Sequence, residues 1–101
     1  MEPKPLSRDR VIHLLREHRA EMDRFGVLSI SLFGSVARDE ATETSDVDVL
    51  VDFGPEPTFR GYMDLKFFLE DLFGTRVDVV TPGTLRPRVE QSVTGDLLRV
   101  A

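Results

Sequence analysis

The chain has 101 residues, 18 acidic against 13 basic, a formal charge of −5 and no cysteine. This length predicts a single domain over 1–101. The composition excludes disulfides and cysteine-ligated metals, argues against a broad basic face for nucleic acid, and contains no apolar run long enough to span a membrane.

Residues 1–6 are expected to form a flexible, Pro-containing leader. Met1-Glu2-Pro3-Lys4-Pro5 lacks the apolar segment of a signal peptide, so the expected compartment is the cytoplasm. Ser7 reads as an N-cap, and Val11, Ile12, Leu14 and Leu15 give an apolar stripe at helical spacing, predicting a helix over 7–23 that Gly26 stops. Val27 to Phe33 reads as a strand, with Leu28, Ile30 and Leu32 toward a core and Ser29, Ser31 and Phe33 on a less covered face. Ser35 to Arg38 makes a short helical turn, and 39–45 is a polar loop.

Asp46 to Phe53 is the second strand: Val47, Val49 and Val51 point one way, Asp46, Asp48, Leu50 and Asp52 the other. Gly54-Pro55-Glu56-Pro57 ends it. Tyr62 to Phe73 is an amphipathic helix closed by Gly74, Arg76 to Thr81 a third strand, and Leu85 to Ala101 a final helix interrupted near Gly95. These elements predict an α+β, two-layer fold, a small mixed sheet with helices covering one face.

The connections bring chemistry together. About a dozen residues, with no crossover helix, separate the first two strands, so an antiparallel hairpin-like pairing is the simplest link. It sets Gly34-Ser35, at the end of one strand, beside Asp46 and Asp48 at the start of the next. The second and third strands are joined through a helix, which predicts parallel pairing. Asp48 and Asp78 are each the third residue of their predicted strand, so matching register sets them side by side. Asp46, Asp48 and Asp78 then crowd one end of the sheet. Their mutual repulsion is relieved by a divalent cation, and magnesium takes oxygen ligands together with substrate phosphates. Two such ions would stabilise the entering and leaving oxygens of a displacement. Gly34 leaves room for a phosphate and Ser35 offers a hydroxyl and backbone N–H groups.

Each feature alone has a plainer meaning. Asp-x-Asp in a chain this acidic is commonly a solvated strand face, and Gly-Ser marks turns in general. The spacing, the hairpin and a third Asp in register single out the combination. Arg38 reads equally as a phosphate contact or a solvent-facing cation. Asp52, His13 and His18 read as surface or boundary residues, and Arg76, Arg86 and Arg88 as solubilising charge.

These residues resemble the nucleotidyltransferase superfamily that includes DNA polymerase beta. The resemblance rests on Gly34-Ser35, Asp46-x-Asp48 and Asp78, and covers about residues 10–90. The stretches S-L-F-G-S-V-A-R, S-D-V-D-V-L-V-D-F and V-D-V-V-T are similar to the minimal nucleotidyltransferases in particular. The resemblance implies a polymerase beta-like core, Gly34, Ser35 and Arg38 at the nucleotide, and Asp46, Asp48 and Asp78 as catalytic magnesium ligands, two ions accompanying bound ATP. It also implies an antitoxin role: transfer of AMP from ATP to a hydroxyl, a tyrosine in some members of this branch, of a partner HEPN-domain toxin; the hydropathy and charge above add the expectation of no membrane and no direct nucleic-acid contact. Asp39 stands where the family often has Gly, and Thr44 where larger members often do. The chain has little beyond the core with which to build an acceptor pocket, which favours a protein acceptor. The alternatives are a non-catalytic module that neutralises its partner by complex formation, and a transferase acting on a small molecule or an RNA end.

Overall fold

A computed structural model of the protein describes residues 7–42, 46–81 and 97–100. The predicted first helix is two: α1 (Arg8–Glu17) and α2 (Arg19–Arg24) meet at His18, whose φ of −103° and ψ of 23° leave the helical range. Ser7 caps α1 by accepting from the Arg10 N–H at 3.1 Å. The bend lets both short helices face the sheet: Val11 and Leu15 from α1 and Met22 from α2 are fully buried in one core.

Four strands follow in the spatial order β3-β2-β1-β4. Strand β1 (Ser29–Phe33) leads into α3 (Gly34–Ala37), one helical turn, and pairs antiparallel with β2 (Val47–Asp52). Helix α4 (Phe59–Phe73) crosses from β2 to β3 (Val77–Val80), which pairs parallel with β2, as the crossover demands. α4 starts three residues before the predicted Tyr62, Thr58 caps it by accepting from the Gly61 N–H at 3.0 Å, and Gly74, at φ 67°, closes it.

The expected final helix does not reach the end of the chain. Leu98–Arg99 form β4, antiparallel to β1 with Leu32 opposite Leu98. Val100 continues the attachment, donating its N–H to the Ile30 carbonyl at 3.0 Å and accepting from Arg16 Nε at 3.3 Å. β1 thus has neighbours on both sides, and a pairing partner for its free edge outweighs the helical pattern of the apolar residues there. The rest of the predicted helix, including Leu85, Val89 and Val93, lies outside the described residues.

Val47, Val49 and Val51 share the core with Ile30, Leu32, Leu65, Leu69 and Phe73. The opposite face of β2 is less covered: Asp48 and Leu50 are half-buried and Asp52 is exposed. Two expectations about β1 fail. Leu28 lies outside the strand and is 58% exposed, whereas Ser31 and Phe33 are buried. From Ile30 to Phe33 β1 is buried on both faces, whereas the face carrying Asp48 is less covered along β2 and β3. No helix among the described residues is long and apolar enough to cross a membrane.

Candidate active site

The site begins where β1 ends. Pairing sets Phe33 opposite Asp48, and Gly34 then turns the chain with φ +73°, a conformation that disfavours side chains. A Cβ at Gly34 would collide with Asp48 Oδ2 and stand 3.2 Å from its Cγ. The glycine therefore serves two ends: it permits the turn and lets backbone lie directly against a carboxylate. Ser35 follows in α3, which Val36 and Ala37 anchor by their burial.

In the loop after α3, Asp39 stands where the family often has glycine. Asp39 has φ 59°, the left-handed region, which Asp tolerates better than most residues. Its carboxylate accepts from the Arg8 N–H at 3.0 Å, satisfying an open donor in the first turn of α1. Glu40 ties back by donating its N–H to the Ser35 carbonyl at 2.8 Å. Thr44 lies outside the described residues.

Parallel register sets Asp48 beside Asp78. Asp46 immediately precedes the Val47–Val77 pair on β2, and Arg76 precedes it on β3. The Asp48 carboxyl is pushed up from 3.8 to about 6, first by burial, then by the charges of Asp78 and Asp46, while Arg38 acts in the opposite sense. Arg38 Nε also donates to Glu40 Oε2 at 3.1 Å, so it spans from the carboxylates to the loop. Among the described residues no three acidic or imidazole side chains converge into a ready-made ion cage. The donor set is all hard oxygen, and its negative charge already disfavours ionisation of Asp48, which fits a divalent cation such as magnesium.

Sequence reasoning missed Lys66 and Glu70. Glu70 Oε2 accepts from the Val77 N–H at 3.1 Å, and Lys66 Nζ donates to the Val77 carbonyl at 2.7 Å. Both polar groups of an edge-strand residue are thus satisfied by α4, which fixes β3 one residue before Asp78. The i,i+4 spacing of Lys66 and Glu70 was visible, but such pairs usually close on each other in solvent. A pocket of about 220 Å³ lies alongside, lined by Asp46, Lys66, Arg76, Val77 and Asp78. Of the residues read as bystanders, Arg76 lines this pocket, contrary to expectation, and Arg86 and Arg88 lie outside the described residues, while Asp52, His13 and His18 make other contacts. Asp52 accepts from the Gly54 N–H at 2.8 Å and shapes the turn, His13 pairs with Glu17, and His18 packs edge-on against Phe68.

Comparison with known proteins agrees with this architecture. The profile of the nucleotidyltransferase domain matches residues 15–100. The protein adenylyltransferase MntA of Thermococcus cleftensis is 38% identical over 96 residues, covering 94% of this chain and 97% of the relative. A candidate protein adenylyltransferase of Methanocaldococcus jannaschii is 39% identical over 89 residues, covering 86% and 91%. The solved structure of a candidate minimal nucleotidyltransferase superposes with a TM-score of 0.70 at 38% identity, covering 86% of this chain and 93% of that one. A complex of a tri-AMPylated HEPN toxin of Shewanella oneidensis with its MNT antitoxin gives 0.59 at 20% identity, over 93% and 68%, a likeness of fold. The chain belongs to the nucleotidyltransferase family of enzymes, and its mixed four-stranded sheet with helices is the polymerase beta-like core of the minimal members.

Proposed function

We propose that this protein is a magnesium-dependent protein adenylyltransferase, an antitoxin that silences a HEPN-domain toxin by moving AMP from ATP to a tyrosine hydroxyl. The observation that carries the reading is the placement of Asp48 against Gly34 on one side and Asp78 on the other. Phosphate-binding backbone and paired carboxylates are what a nucleotidyl transfer requires. The relatives named protein adenylyltransferase, and the fold shared with an MNT antitoxin in complex with its HEPN toxin, support the choice of acceptor.

In this reading Gly34 and Ser35 hold the β- and γ-phosphates and Arg38 steadies their charge. Asp46, Asp48 and Asp78 would hold magnesium, which when bound supplies the charge that an acidic site needs to accept a triphosphate. The tyrosine oxygen attacks the α-phosphorus, the bond from that phosphorus to the bridging oxygen breaks, and pyrophosphate leaves. Asp78 accepts the phenolic proton. Catalysis is positioning and charge compensation, the usual means of phosphoryl-group transfer.

The test is labelling of the neighbouring-gene protein with ATP labelled at the α-phosphate, in the presence of magnesium. Labelling should require both Asp46 and Asp48, and the labelled partner should lose its toxicity. Labelling that survives Asp46→Ala/Asp48→Ala would overturn the site. Neutralisation by Asp48→Ala as complete as by the wild type would instead favour a binding module.

A further inference from the structure

The carboxylate face continues to a cation that the reaction above does not use. Arg76 and Asp78 are two apart on an extended segment, so their side chains leave the same face of the sheet. The pocket of about 220 Å³ joins Arg76 to Asp46 and Asp78. Its other cation, Lys66, is engaged: Nζ donates to the Val77 carbonyl and lies 3.7 Å from Glu70 Oε2. Arg76 is exposed, and among the described residues its guanidinium has neither a hydrogen-bond nor an ion-pair partner. An arginine with two carboxylates lining its pocket and no partner is poised for a group that comes from outside.

Strand order says which group. Gly34 and Ser35 follow β1, Asp46 and Asp48 belong to β2 and its entry, and Arg76 and Asp78 to β3 and its entry. At the usual strand spacing Arg76 is roughly 10 Å across the sheet from the phosphate loop. An in-line displacement brings the hydroxyl in opposite the departing pyrophosphate. With pyrophosphate held on the β1 side, the hydroxyl enters from the β3 side, beside Arg76.

We propose that Arg76 is a specificity-determining residue that reads an acidic side chain flanking the acceptor tyrosine. The inference rests on the transferase reading above. A guanidinium matches a carboxylate with two parallel hydrogen bonds. The contact also offsets the repulsion that an acidic segment meets from Asp46, Asp78 and a chain of net charge −5. Arg76 thus makes an acidic flank favourable where the rest of the site would reject it.

The experiment compares wild type, Arg76→Gln and Arg76→Glu on peptides with a fixed tyrosine and randomised neighbours, with α-labelled ATP and magnesium, alongside labelling of the neighbouring-gene protein. The expected result is enrichment of Asp or Glu next to the labelled tyrosine by the wild type. That preference should fall about tenfold in Arg76→Gln and turn toward Lys or Arg in Arg76→Glu, with the Kd for ATP unchanged within roughly twofold. A wild type that labels peptides without acidic preference overturns the proposal, as does a preference that survives in Arg76→Glu. So does a tenfold loss of ATP affinity in Arg76→Gln, which would put the residue on the nucleotide. Failure to label any peptide by an enzyme that labels the partner protein also overturns it, and leaves the transferase reading standing. Labelling of neither peptide nor partner sinks both.

Discussion

Gly34 and Asp48 fit together only because one of them has no side chain. Strand pairing places Phe33 opposite Asp48, and the next residue turns at φ +73° so closely that a Cβ there would meet Asp48 Oδ2. The Gly34 turn and the Asp48 carboxylate are therefore a single packed unit.

Gly34→Ala tests that unit, with Gly74→Ala as its control. Gly74 has a comparable φ of +67° but nothing within 4 Å of its would-be Cβ. Both substitutions should cost about 1–2 kcal/mol in urea unfolding from the left-handed backbone alone. Gly34→Ala alone should lower adenylyl transfer, by about 100-fold, because it displaces Asp48. Equal activity in the two variants would separate the collision from catalysis.

The raised Asp48 carboxyl predicts a pH signature. A carboxyl whose folded pKa is about 6, above its ordinary 3.8, binds its proton more tightly in the folded state. Its stabilising contribution is present below the ordinary value and is lost as pH rises through about 6. In metal-free protein, Asp48→Asn should therefore gain in Tm over the wild type as pH rises from about 4 to 7, then level off. Magnesium should compete with the proton, so the apparent affinity for it should fall as pH drops below about 6. A pH-independent Tm difference would show that burial and the neighbouring charges do not raise the Asp48 carboxyl.

Asp39 joins the loop after α3 to the start of α1 through the Arg8 N–H. Asp39→Asn keeps an acceptor and tolerates the positive φ, so its thermal stability should change by less than about 0.5 kcal/mol. Asp39→Ala loses both advantages and should cost about 1–2 kcal/mol. Asp39→Gly loses the hydrogen bond but relieves the backbone, and should fall between them. The order of the three, read from thermal unfolding, checks the assignment.

Glu70 holds the outward N–H of Val77, a residue otherwise buried in the sheet. Glu70→Ala should destabilise the protein by about 1–3 kcal/mol, since it leaves that donor without its acceptor. Amide exchange at Val77 should quicken while that at Ile30, in the interior strand, follows only the global loss. Glu70→Gln retains an acceptor and should restore most of the protection. Unchanged exchange at Val77 in Glu70→Ala would remove the clamp.

Much of this was legible in the chain itself. The alternation of Val47, Val49 and Val51 with Asp46, Asp48 and Asp52 sets the two faces of β2, because a strand repeats every two residues. The short link before Asp46 and the helix before Asp78 fix antiparallel and parallel pairing, so the Asp48–Asp78 register could be anticipated by counting. What periodicity cannot carry is a contact made across the fold. Leu28 fits the apolar pattern of β1 yet lies outside the pairing, and Leu98, in a segment with a helical pattern, joins β1 as a strand because that edge had a vacancy for backbone hydrogen bonds. The sequence by itself determined which residues bear charge and which strands adjoin. Only the tertiary structure decided that Gly34 must be bare because Asp48 lies over it, that Lys66 and Glu70 clamp Val77, and that Arg76 opens into the carboxylate pocket. Those relations depend on distances between elements, which packing sets and local spacing does not.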